Sequence, residues 1–213
     1  MNTVTKIVLR AASALIAMAL VICLGAVAHA YHERTQAERF LAVLQKIQVG
    51  TTDRATVIRM TSPFSSHREE YVRDEPQLEF LFYNEWLSRL KLATPAEFRA
   101  NVTFKDGVVG SKQAWEAVNA SGAAARVRER KRGFGYADRI APGDRPNHFV
   151  RWEDHWPQIA PEKVRRILIE DDDTYPESLR QKDWAFDLSC MTRLGSGCWD
   201  AHFMLPNAVR PPE

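Results

Sequence analysis

The stretch FRANVTFKDGVV, Phe98 to Val109, decides how this chain folds. Phe98, Ala100, Val102 and Phe104 alternate with Arg99, Asn101, Thr103 and Lys105, so a strand here turns an apolar face one way and a polar face the other. Asp106-Gly107 separates this run from Val108-Val109, and a two-residue Asp-Gly loop between alternating runs signals a type I′ hairpin. Counting outward from the turn sets Phe104 opposite Val109 and Phe98 opposite Trp115, all on the core face.

Elements on either side complete a mixed pattern. Upstream, Gln77 to Asn84 reads as a strand in which Leu78, Phe80 and Phe82 alternate with Glu79, Leu81 and Tyr83. Thr35 to Gln48 carries Ala37, Phe40, Leu41, Leu44 and Ile47 at helical spacing, and Gly50 stops it. A second short helix follows, capped by Thr51 or Thr52, with Asp53 in its first turn and Val57, Ile58 and Met60 on its buried side, and Pro63 ends it. Downstream, Arg126, Arg128, Arg130 and Arg132 recur at period 2, which predicts a strand with a basic face. Residues 133–161 show no sustained period. Lys163 to Glu170 reads as a strand through Val164, Ile167 and Ile169; Pro176 opens a helix carrying Leu179, Trp184, Leu188 and Met191; a short helix runs from Cys198 towards Pro206. The fold class is α+β, with short helices on a mainly antiparallel sheet and a helical C-terminal end.

The N-terminus is an address. Ala11 to Ala28 carries no charge, and as a helix its 18 residues span about 27 Å, close to the hydrocarbon thickness of a bilayer. Lys6 and Arg10 flank it and stay cytoplasmic under the positive-inside rule, so the rest of the chain is expected outside. Two readings stay open. One is an uncleaved anchor; the other is a signal cleaved after Ala30, since Ala28-His29-Ala30 has the small-x-small pattern. Ile22 stands before Cys23 where a lipoprotein needs a small residue. Three segments result: 1–30 as anchor or signal, 31–121 as a helix-helix-sheet half, and 122–213 as a half with strands and a stapled helical end.

Charge narrows the partners. Lys6 and Arg10 are two of the 29 basic residues, and the 27 that remain equal the 27 acidic ones. A neutral body argues against nucleic acid, which needs a positive surface to displace counterions. Outside the cytoplasm, Cys190 and Cys198 around Gly195-Ser196-Gly197 are expected to form a disulfide. A metal set with His202 lacks a fourth ligand at recognisable spacing, and no CxxC redox motif is present.

The stretch from Val49 to Val109 resembles the SmpA/OmlA-like module of small lipoproteins that help assemble the bacterial outer membrane. The matching residues are Val49-Gly50-Thr51-Thr52 with Val57 and Ile58, then Pro63, the strand Leu81-Phe82-Tyr83, and the hairpin from Val102 to Val109. The resemblance implies two short helices on a three-stranded antiparallel sheet, in a cell-envelope protein without enzymatic activity. It covers less than half the chain, with Thr61-Ser62 where the module has Leu-Gly.

Candidate chemistry is sparse. His148, Glu153, Asp154 and His155 fall together beside Trp152 and Trp156, the composition of an acid/base or metal site in an aromatic cleft, or of a polar loop. Glu170 to Asp173 lacks the glycine and terminal glutamate of a calcium loop and reads as a solvated turn. No phosphate-binding loop or dinucleotide fingerprint is present, and no cofactor or metal is expected. The arginine row either faces phospholipid headgroups or guards a sheet edge against unwanted pairing. The reading that follows is a membrane-anchored, non-catalytic interaction or scaffolding module of the cell envelope with a possible envelope protein partner. The alternative is an envelope hydrolase or metal-dependent enzyme centred on His148 to His155.

Overall fold

The computed structural model describes residues 3–72, 75–118, 122–132, 147–153, 165–195 and 198–208. Among these, seven strands form one sheet in the order β1-β2-β3-β4-β5-β7-β6. The strands are β1 (Arg68–Val72), β2 (Pro76–Tyr83), β3 (Ala96–Lys105), β4 (Val108–Val118), β5 (Ala123–Arg130), β6 (His148–Glu153) and β7 (Arg166–Asp172). β1 to β5 run as an antiparallel meander, β7 joins β5 in parallel, and β6 pairs antiparallel with β7 at the far edge. Helices α1 (Thr3–Lys46), α2 (Arg54–Met60), α3 (Glu85–Arg89) and α4 (Glu177–Asp183) complete the α+β fold.

The membrane-length segment and the Thr35 to Gln48 helix are one uninterrupted helix, α1. Its N-terminal half is exposed and apolar, with Leu15, Ile16, Leu20, Val21 and Leu24 all open. It is long and apolar enough to cross a membrane. From Ala26 onward it acquires a buried stripe: Ala26, Ala30, Ala37, Phe40, Leu41 and Leu44. This three-to-four spacing turns one helix face onto the body. Phe40 packs its ring on Phe64, Phe80 and Phe82, with centroids 5.3, 4.3 and 5.5 Å away. Ala26 and Ala30 pack with Leu87 and Ala93, next to α3.

The hairpin forms where the Asp-Gly pair places it. Asp106 and Gly107 both hold positive φ, 52° and 80°, as a type I′ turn requires. Phe104 pairs with Val109 as expected, but Phe98 pairs with Glu116, not Trp115. The cause is a bulge. Thr103 pairs with Ser111, which leaves Gly110 as one extra residue on β4 and flips every side chain beyond it to the opposite face. Lys112, Ala114, Glu116 and Val118 therefore point into the core, and Trp115 lies on the other face between the guanidinium groups of Arg99 and Arg126, 5.5 and 5.6 Å from its centroid.

Smaller corrections have local reasons. Asp53, not a threonine, is the N-cap of α2: its carboxylate accepts from the Thr56 amide at 2.8 Å. Pro63 lies in a following 3-10 turn, Ser62–His67, and strand β1 beyond it has too little apolar alternation to be expected from sequence. The C-terminal helix is shorter than its apolar pattern predicts; α4 ends at Asp183, and Leu188–Met191 and Ala201–Phe203 are 3-10 turns. Cys190 and Cys198 are joined in a disulfide, with Cα atoms 5.7 Å apart. Ala201, Met204 and Leu205 are buried beside it, but Trp199 and Phe203 are half exposed.

One substitution tests the turn. Gly107→Val places a β-branched residue at positive φ and should lower stability by about 1–3 kcal/mol in a denaturant melt. An unchanged midpoint would show that residue 107 does not need that backbone conformation.

Candidate functional site

Of the candidate cluster His148, Glu153, Asp154 and His155, the first two stand at opposite ends of β6. His148 opens the strand opposite Asp171, and Glu153 closes it opposite Arg166, so their backbones are separated by about 17 Å of strand. Asp154 and His155 lie outside the described residues. His148 is instead the centre of a different group, drawn from three elements.

Its Nδ1 lies 2.7 Å from Oδ1 of Asp171 on β7 and 3.7 Å from Oδ2 of Asp183, the last residue of α4. The Tyr175 ring stacks on the imidazole, centroids 4.5 Å apart. Asp171 is 1% exposed, which corrects the reading of residues 170–173 as a solvated turn. Burial pushes its carboxyl up to about 7, against the hydrogen bond from His148, and the Asp183 charge adds to the rise. Burial likewise raises Asp183, opposed by His148. An imidazole between two carboxyl groups, one inside the protein, can pass or share a proton, or hold a cation. Asp171 had a legible signal: Ile167, Ile169 and Asp171 continue one period-2 face into the core. Asp183 had none, because only the packing of α4 brings it to β6.

A second buried charge system lies where α1 ends. Lys112 Nζ donates to the carbonyl oxygens of Leu44 (3.2 Å) and Ile47 (2.7 Å), sits 3.2 Å from Oε2 of Glu129, and lies 4.9 Å from the centroid of the Trp184 ring. Arg180 pairs with the other oxygen of Glu129. These groups line a cleft of about 310 Å³ together with Gln45, Glu177 and Gln181. Burial pushes the lysine ammonium down, and the Glu129 charge pushes back.

The arginine row divides by position. Arg126, Arg128 and Arg130 lie on the outer sheet face, and Arg132 lies in the turn beyond β5. β5 is an interior strand between β4 and β7, so the row guards no edge. Arg128 is 3.8 Å from Glu170. Arg126 joins Arg151, Arg165, Arg166 and Trp115 around an outer-face cleft of about 630 Å³. Arg165 lies across Gly122, where a Cβ would meet its Nη2 at 2.2 Å. In this way the glycine seats the guanidinium. Register puts this cleft at the end of the sheet where Ala96, Val118 and Ala123 align, the end that β3 enters just after Ala93, which packs with Leu87 on Ala26 and Ala30 of α1.

His202 is no zinc ligand with the cysteines, whose sulfurs are bonded to each other. Its Nδ1 lies 3.0 Å from Asp200, and its ring packs on Trp152 with centroids 4.6 Å apart.

No protein-family model, curated protein or solved structure matches this chain.

Glu116 is the most isolated of the buried acids. It is fully buried, and neither carboxyl oxygen has a hydrogen-bond partner among the described residues. Burial, then the charge of Asp187, raises its carboxyl well above the ordinary 4.5, with Arg34 opposing. The folded chain therefore holds this proton more tightly than the unfolded one, and stability is lost as pH climbs above 4.5 toward the folded value. Glu116→Gln removes that loss. Its melting temperature should exceed that of the parent by a margin that widens between about pH 5 and about pH 7. A margin that stays constant over this range would mean that Glu116 ionises as freely in the fold as in the unfolded chain.

Proposed function

We propose that this chain is a single-pass, membrane-anchored interaction module of a bacterial cell envelope, with its body outside the cytoplasm and no catalytic role. One observation carries the reading: α1 passes without a break from an exposed apolar half into the core of the body. Cleavage after Ala30 would remove Ala26 and Ala30 and uncover Leu87 and Ala93, which favours a retained anchor over a signal peptide. Lys6 and Arg10 favour a cytoplasmic N-terminus.

Because the body packs on α1 from Ala26 onward, it stands directly on the bilayer. Exposed Tyr31, Trp86, Leu90 and Leu194 surround that end of α1, and aromatic side chains suit the headgroup level. Trp86 packs edge-on against His29 there, centroids 6.4 Å apart. The arginine cleft at the same end favours the phosphates of that surface. The remainder of the outer sheet face, with Leu81, Arg99 and Gln113, is left for an envelope protein partner. The SmpA/OmlA resemblance agrees with this placement and supports a scaffolding role. The alternative, an enzyme centred on His148 to His155, loses support from the separation of His148 and Glu153 along β6.

The test uses the chain extracted from membranes. Its intact mass should correspond to the full 24.3 kDa, and a photo-crosslinker at Gln113 in living cells should give a reproducible adduct with an envelope protein. A chain shortened by residues 1–30 would overturn the anchor, and adducts confined to cytoplasmic proteins would overturn the topology.

A further inference from the structure

We propose that His148, Asp171 and Asp183 form a binding site for one divalent cation of the zinc class, which clamps β6, β7 and α4 together. One ligand atom from each residue lies within 4.8 Å of the other two. A triangle of that largest side keeps each corner within about 2.8 Å of its centre, so small side-chain rotations reach metal-ligand distances of about 2.0–2.2 Å. One imidazole nitrogen with two carboxylate oxygens suits a borderline cation better than a soft one.

An independent observation points the same way. The Asp171 side chain is wholly buried, yet its Oδ2 has no hydrogen-bond partner among the described residues, and neither has Oδ2 of Asp183. Buried polar atoms are rarely left so, because each unmet acceptor costs about 1–3 kcal/mol. A cation satisfies both oxygens at once and compensates two acidic groups held side by side. The imidazole is already oriented for coordination, since Tyr175 stacks on it and its Nδ1 faces both carboxyl groups. On binding, Nδ1 coordinates the ion in place of a proton, which leaves to solvent. The His148 side chain is 29% exposed, so the ion keeps an open side where water completes its coordination.

The three ligands come from different elements, and this gives the site a mechanical consequence. Among the described residues β6 is an edge strand whose only ladder is with β7, and α4 has no buried residue of its own. A bound ion ties both to the buried Asp171, so its loading should be read in stability as well as in binding.

The experiment titrates the detergent-solubilised full chain, first stripped with EDTA, with zinc chloride. Calorimetry should show one equivalent bound with a rise in melting temperature, and His148→Gln and Asp183→Asn should each weaken binding by roughly tenfold or more. Nitrogen-15 spectra of the unsubstituted chain need no variant to fold: zinc should shift the His148 ring resonances ahead of those of the other five among its 6 histidines. Absence of saturable binding, equal binding by both variants, or shifts confined to other histidines would each overturn the site.

Discussion

The interaction on which the rest of the structure depends is the ammonium of Lys112 at the end of α1. Helix carbonyls in a last turn lack intrahelical donors, and a cation there also answers the helix dipole. Lys112 donates to the Ile47 carbonyl just past the helix end and adds a second donor to that of Leu44, which also accepts from the Ile47 amide; it does so from the core face of the sheet, walled by Trp184 and held by Glu129. Glu129 is held in turn by Arg180 of α4. One buried network thus joins α1, the meander and the C-terminal helix. Removing a single partner of such a pair typically costs about 3–5 kcal/mol, because the other charge is left buried and alone.

That arrangement exists because of one residue. Without the bulge at Gly110, the face of β4 turned inward would carry Ser111, Gln113, Trp115 and Ala117. With it, Lys112 reaches α1, Trp115 goes outside to lie between two arginines, and Glu116 is buried as a consequence of the shift. The hydrophobic cluster around this network runs from Ala37 of α1 to Leu205 beyond the disulfide. Under the proposed function, the same fixation makes the anchor stiff: a body locked to the inner half of a continuous helix cannot swing freely on its membrane half. Its outer sheet face and arginine cleft would then be held at a set height and angle above the lipid.

Much of this was legible in the sequence, and the limits are physical. Alternation in β2, β3 and β5 and the Asp-Gly turn specify strands and a hairpin locally, because a period of two needs no distant partner to be read. The cysteines and the apolar N-terminal run were legible for the same reason. A single extra glycine is not: Gly110 looks like any strand residue, yet it reverses the faces of Lys112, Trp115 and Glu116. The run from Glu170 to Asp173 misleads because acidic residues usually stay in water, whereas Asp171 follows Ile167 and Ile169 inward. Asp183 joins His148 only through tertiary packing, so no spacing rule could have named that group. The junction between the membrane run and the Thr35 to Gln48 helix was hidden by the charged residues from His32 to Arg39, which interrupt the apolar pattern without interrupting the helix.

α1 runs as one unbroken helix from its exposed apolar half to Lys46, with no hinge where it meets the body. Amide hydrogen exchange of the full chain in lipid nanodiscs measures this directly, since a helix with no hinge protects its amides without a gap. Protection across residues 26–40 should be comparable to that of residues 40–46 in the core. Rapid exchange confined to residues 29–35 would reveal a flexible tether between membrane and body, and would contradict it.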